Sequence, residues 1–184
     1  GEYMKKVMIL AAACGFLAAC QTTGNYTPVS ENLPKMTVAF TAAPWDGKTV
    51  PADQVCSRYG GRASTPAMKV TGIPAEANAI IVEYNDRNYS PLSYDGGHGK
   101  IGYWTNGATS MDLQSVAAES DDMSGNAFVE QRHRGRMQVS GYLPPCSGGR
   151  GNAYFADVKA VYKAKAEGEE SKLLSVGHIE LGRY

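Results

Sequence analysis

The chain has 184 residues, with 18 lysine and arginine side chains balanced by 18 aspartates and glutamates. That neutrality argues against a dedicated nucleic-acid binder, which needs a strongly basic face. Only three histidines and four cysteines are present, and no Gly-x-Ser-x-Gly, His-Glu-x-x-His or close Cys-x-x-Cys pattern occurs, so no nucleophile elbow or zinc-peptidase helix is written into the chain.

Gly1, Glu2 and Tyr3 precede Met4 and read as an extension. Lys5 and Lys6 then form a positive n-region ahead of an uncharged apolar run over residues 7–19. This run is shorter than the ~20 apolar residues that span a bilayer, so it reads as a signal peptide. Its end, Leu17-Ala18-Ala19-Cys20, resembles the lipobox of bacterial lipoproteins: a branched residue, two small ones, and a cysteine whose thiol takes the diacylglycerol. Residues 1–19 are therefore expected to be extension plus lipoprotein signal peptide, and residues 20–35 a lipidated tether starting at Cys20. The tether is polar and carries Pro28 and Pro34, as suits a spacer. Gln21 after the cysteine resembles the pattern that permits transfer to the outer membrane. The expected address is the bacterial cell envelope, anchored to the membrane by the N-terminal lipid, at the outer membrane and facing the periplasm.

With Cys14 in the leader and Cys20 acylated, Cys56 and Cys146 remain as an even pair in an oxidising compartment. A disulfide between them is expected, closing a loop of about 90 residues worth on the order of 4 kcal/mol. Two unpaired thiols are the alternative, because sequence alone shows no proximity.

From residue 36 to 184 one domain is expected. Strand alternation occurs over residues 36–42 and 67–73, and 79–84 is a nearly continuous apolar run suited to a central buried strand. Further strands are expected at 100–105, 136–142, 154–162 and 176–181, with a bulge in 154–162 where Phe155, Val158 and Val161 break alternation. Short helices are expected over 112–119, with Ser110 as N-cap, and over 164–174, where Gly168 weakens the pattern. Residues 119–126 read as an exposed acidic loop. The fold class is mainly β, an antiparallel β-sandwich with a few short peripheral helices.

The order of segments then becomes informative. Val50-Pro51-Ala52-Asp53-Gln54-Val55-Cys56, Ser64-Thr65-Pro66-Ala67-Met68 and Gly72-Ile73-Pro74-Ala75 lead into Ala79-Ile80-Ile81-Val82-Glu83-Tyr84-Asn85-Asp86. Later come Gly141-Tyr142-Leu143-Pro144-Pro145-Cys146, a strand ending in Ala160-Val161-Tyr162, and Glu180-Leu181-Gly182-Arg183-Tyr184. This series resembles the bacterial, Raf-kinase-inhibitor-like branch of the phosphatidylethanolamine-binding protein family. The resemblance implies a β-sandwich with an anion pocket built from an aspartate-rich strand end, a central histidine and a second histidine after the Pro-Cys loop. Here the strand end is Asn85-Asp86-Arg87, His98 takes the first histidine position, and Tyr154 or Phe155 stands where the second should be.

The ligand-binding residues expected on this basis are Asn85, Asp86, His98, Pro145, Arg150 and Tyr154, with Arg87 and Arg150 as a guanidinium fork for an anion. Ordinary solvated loop arginines are the competing reading of that pair. Asp86, Asn88 and Ser90 space like calcium-loop ligands, but Pro91 replaces the required glycine and Gly97 the final glutamate. No metal, cofactor or catalytic residue is expected. His133, inside Arg132-His133-Arg134-Gly135-Arg136, reads as part of a solvated or headgroup-contacting basic cluster, and His178 as structural. The leading functional expectation is an envelope lipoprotein, not an enzyme, that binds a small anionic or phosphorylated ligand. A protein-interaction or inhibitor lipoprotein with a degenerate pocket and an envelope protein partner is the second reading, and a hydrolase using His98 the third.

Overall fold

The structure, a computed structural model, describes residues 26–184. The lipobox, Cys14, Cys20 and the start of the expected tether lie outside them. Among the described residues, nine strands form two sheets. The larger has the order β1-β9-β8-β4-β5-β7, built from Thr27–Pro28 (β1), Ala79–Asp86 (β4), Lys100–Trp104 (β5), Ala127–Gln131 (β7), Ala153–Tyr162 (β8) and Lys172–Arg183 (β9). The smaller has the order β2-β3-β6, from Thr37–Phe40 (β2), Met68–Thr71 (β3) and Ser110–Leu113 (β6). Strand pairing is antiparallel except for β1 alongside β9.

β4 shows why its apolar run does not alternate. Ile80, Val82 and Tyr84 face the space between the sheets, with Met68, Val70, Ile101, Tyr103, Leu113 and Val158. Ala79 and Ile81 face the opposite side, where Val161 and Leu173 meet Tyr26, Leu33, Phe128 and Val176. Every residue of β4 is buried, so both faces of the strand contribute, at roughly 1.5–3 kcal/mol for each large aliphatic side chain. The expected bulge in β8 is present: its register against β9 shifts at Tyr154/Phe155 and at Ala160/Val161. Against β4 the register is unbroken, so alternation alone places Val161 on the face opposite Ala156, Val158 and Ala160.

Several local readings are overturned by partners distant in sequence. Residues 112–119 form no helix. Ser110–Leu113 pairs with β3, Met68 opposite Leu113, and Val116 and Leu113 are buried in the main core. Eight residues gain little from helix propensity alone, and a sheet edge with a core beneath it outweighs that gain. Residues 164–174 turn at Gly168, whose φ of +83° suits glycine, and enter β9 at Lys172. The Glu169 carboxylate ties this turn by accepting the Lys165 and Ala166 amides and the Tyr162 hydroxyl. The strand expected at 136–142 is irregular. Strand β7 lies within the stretch just before it, where Ala127 and Val129 pack inward and Phe128 outward.

The segment expected as a free tether is bound from Tyr26 onward. Thr27 and Pro28 pair with Lys172 and Leu173, and Lys35 bridges to Val176. The Tyr26 hydroxyl donates to Glu130 at 2.6 Å, and Lys163 joins the same pair. Tyr26 and Leu33 cover apolar surface that β4, β8 and β9 would otherwise expose. The helical content among the described residues is two three-residue 3-10 turns, Ser57–Tyr59 and Ser90–Leu92.

Candidate functional site

The larger sheet brings three strands to one end. Asp86 closes β4 opposite Tyr154 at the start of β8, and Tyr154 lies opposite Gly182 of β9. Above this end the turn Asp95-Gly96-Gly97-His98 is held by three backbone bonds: His98 N–H donates to Tyr84, Leu143 N–H donates to His98, and Arg134 N–H donates to Gly97. Gly97 is required there, because a Cβ would stand 2.3 Å from Leu92 Cα.

The disulfide adds the second wall. Cys56 and Cys146, 90 residues apart in sequence, are bonded, and Cys56 N–H donates to the Pro145 carbonyl at 3.0 Å. This draws the turn Ser57–Tyr59 against the loop 143–150, with the Tyr59 ring over Gly148. Between the walls lies a pocket of about 400 Å³ whose lining includes Asp86, His98, Arg150 and Tyr154, together with Arg58, Tyr59, Arg136, Met137, Ser147 and Asn152.

Of the six expected ligand-binding residues, four converge. Asn85 is turned away: its amide oxygen accepts the Gly97 N–H and its nitrogen donates to Glu83, so it braces the histidine turn from behind. Pro145 is buried and does not line the pocket; its carbonyl holds Cys56. Arg87 is committed elsewhere. Its guanidinium lies 4.3 Å from the centre of the Phe155 ring and pairs with Glu180 at 2.6 Å, so the expected Arg87–Arg150 fork does not form.

Arg58 and Arg136 stand on the pocket instead, and neither they nor Arg150 has a carboxylate partner among the described residues. The basic cluster around His133 is mostly occupied: Arg132 pairs with Asp121, and Arg134 donates to the carbonyls of Tyr94 and Asp95. Of that cluster's basic side chains, Arg136 alone reaches the pocket lining, next to Gly135. His178 lies on the exposed face of β9 between Asp157 and Glu180, 2.9 and 2.8 Å away.

The floor is polar and buried. The Asp86 carboxylate accepts Asn88 N–H on one oxygen and Asn152 Nδ2 on the other, each at 2.8 Å. His98 Nδ1 lies 2.7 Å from the Leu143 carbonyl oxygen. A carbonyl only accepts, so that nitrogen carries the proton. His98 Nε2 is buried without a protein partner. Burial lowers the imidazole from its usual 6.5 to about 4 despite the Leu143 bond and the nearby Asp86 charge, so His98 is neutral near pH 7. The Tyr154 hydroxyl accepts Cys146 N–H at 3.3 Å, and burial pushes it up to about 12. At the other end of the sandwich a wider cleft of about 800 Å³ is lined by Val29, Pro34, Pro74 and Leu174 with Glu76, Glu169 and Lys172; it gathers no cluster of cations.

Comparison with known proteins places the fold. No family model and no curated protein matches the chain. Two solved structures share its architecture, both at 16% identity, a TM-score of 0.51 and 82% coverage of this chain. One is a phosphatidylethanolamine-binding-protein homologue from Chlamydia trachomatis, covered over 97% of its length. The other is YbcL from Escherichia coli, described as a member of the mammalian phosphatidylethanolamine-binding protein family, covered over 98%.

Proposed function

We propose that this chain, which shares the fold of phosphatidylethanolamine-binding-protein homologues, is a lipid-anchored envelope protein whose sandwich domain binds a small anionic or phosphorylated ligand. The observation that carries the binding assignment is the convergence of Arg58, Arg136 and Arg150 on a pocket with one carboxylate. Guanidinium groups without carboxylate partners can give an anion charge-assisted, bidentate hydrogen bonds. A binder rather than a catalyst is favoured because no nucleophile is held against His98 Nε2 among the described residues, and the nearby Cys146 sulfur is committed to a disulfide.

The anchoring assignment is supported by Leu17-Ala18-Ala19-Cys20 and the lysines before it. Gln21 favours the outer membrane, with the domain in the periplasm.

Thermal denaturation in the presence of phosphate, phosphoethanolamine and nucleotides tests the pocket. A ligand at 100 times its dissociation constant adds about 2.7 kcal/mol. The shift should disappear in an Arg58→Ala/Arg150→Ala protein that still folds. No shift with any anion rejects the assignment. Mass spectrometry of the mature protein tests the anchor separately, through an acylated Cys20 at the amino terminus.

A further inference from the structure

The pocket changes its hydrogen-bonding sense from mouth to floor. Arg58, Arg136 and Arg150 are exposed and can only donate. Asp86 and His98 are each 3% exposed, and what they present is acceptor capacity. The two Asp86 oxygens each hold one donor, Asn88 N–H and Asn152 Nδ2, and each keeps a further lone pair. His98, a lining residue, spends its N–H on the Leu143 carbonyl, leaving the Nε2 lone pair buried with nothing to accept from. The Asn152 amide nitrogen spends one of its two N–H groups on Asp86, the Ser147 hydroxyl donates to the Tyr184 carbonyl, and the Tyr154 hydroxyl, which accepts Cys146 N–H, keeps its own O–H beside Asp86.

We infer that the pocket selects anions that bring their own hydrogen-bond donor, received at Asp86 and His98 Nε2 while the arginines hold the unprotonated oxygens. This rests on the anion-binding assignment above and narrows it. Inorganic phosphate keeps a P–OH in both of its forms near neutral pH, whereas sulfate, of nearly the same size and shape, has none. A sulfate seated on this floor sets oxygen lone pairs against a carboxylate and an imidazole lone pair, with no proton between them. Buried acceptors left unmatched cost more than a typical matched pair gains. A site built to receive a donor therefore rejects the analogue that lacks it by a large factor.

Isothermal titration of the full-length protein with inorganic phosphate and with sulfate decides the matter. At pH about 8 both anions are mainly divalent, since a phosphate's second pKa lies near or below about 7, so charge is matched and the proton is the difference. Phosphate is expected to bind at least about tenfold more tightly, the factor that one hydrogen bond to a charged group supplies. Equal affinities, or tighter sulfate binding, overturn the inference and leave anion binding standing. Binding of neither anion overturns the inference, and the melts with phosphoethanolamine and nucleotides then decide the anion-binding assignment.

Asp86→Asn supplies an independent arm, because its amide offers a donor where the carboxylate offers none. Sulfate affinity should rise and the phosphate-to-sulfate ratio should fall to within about threefold. An unchanged ratio in the folded variant overturns the role given to Asp86. If the variant does not fold, the wild-type ratio alone decides.

Discussion

His98 is a buried base with one ring nitrogen satisfied and one not, and acidification is the direct way to stress it. In the unfolded chain its imidazole takes a proton near 6.5; in the folded protein burial holds it off until about 4. Between those values the unfolded state binds more protons, so stability falls as pH falls, and the loss is complete below the folded value. The gap of about 2.5 units corresponds to about 3 kcal/mol, a large share of the ~5–15 kcal/mol that holds a domain together. The assay is urea denaturation of wild-type and His98→Gln proteins at pH about 7.5 and about 4, with the linear extrapolation. Carboxylates titrate in both proteins and cancel in the difference. So does His178, whose pKa is raised by Asp157 and Glu180 against the opposing effect of burial and which acts with the opposite sign. The wild-type advantage over the variant should shrink by about 3 kcal/mol on acidification. A difference that stays constant to within about 0.5 kcal/mol would mean the imidazole is not held neutral by burial, and the acceptor role of Nε2 would fall with it.

Three further outcomes are expected. Replacing both Cys56 and Cys146 with serine should cost about 4–5 kcal/mol from the loop of 90 residues and raise hydrogen exchange across Ser57–Tyr59; chemical denaturation showing under 1 kcal/mol would contradict the chain-entropy account. Gly97→Ala forces a Cβ to 2.3 Å from Leu92 Cα, so a loss of about 1–3 kcal/mol is expected in thermal melts, and an unchanged melting temperature would show that the turn has room. Tyr26→Ala removes the ring from the outer apolar cluster and its bond to Glu130. Exchange of the Thr27 and Val29 amides, which donate to Ser171 and Leu173, should accelerate more than tenfold, matching a local loss above about 1.4 kcal/mol.

The site was legible where its chemistry is carried by residue type at a strand end or in a tight turn. Asp86, His98 and Tyr154 are of that kind, and Arg150 follows from its loop. Arg58 was the residue to find: it stands two positions after Cys56, so accepting the disulfide and asking what travels with it would have brought that arginine to the loop at Cys146. Arg136 was hidden by the strand reading of residues 136–142, and Asn152 because only its bond to Asp86, distant in sequence, brings it to the site. Arg87 misled because adjacency to Asp86 in a strand places its side chain on the opposite face, where Phe155 and Glu180 take it.

What the sequence determined by itself was the period of burial. Alternation marked β2, β3 and most of β8, and an unbroken apolar run marked β4 as covered on both sides, because each side chain's polarity reports the face it occupies. Only the tertiary structure decided between helix and strand at Ser110–Leu113, docked residues 26–35 onto the sheet, and chose which arginines meet over His98. Those outcomes depend on contacts between segments far apart in the chain, such as Met68 with Leu113 and Tyr26 with Glu130. A local pattern carries no record of a partner that far away, and packing free energy outweighs a propensity of tenths of a kcal/mol per residue.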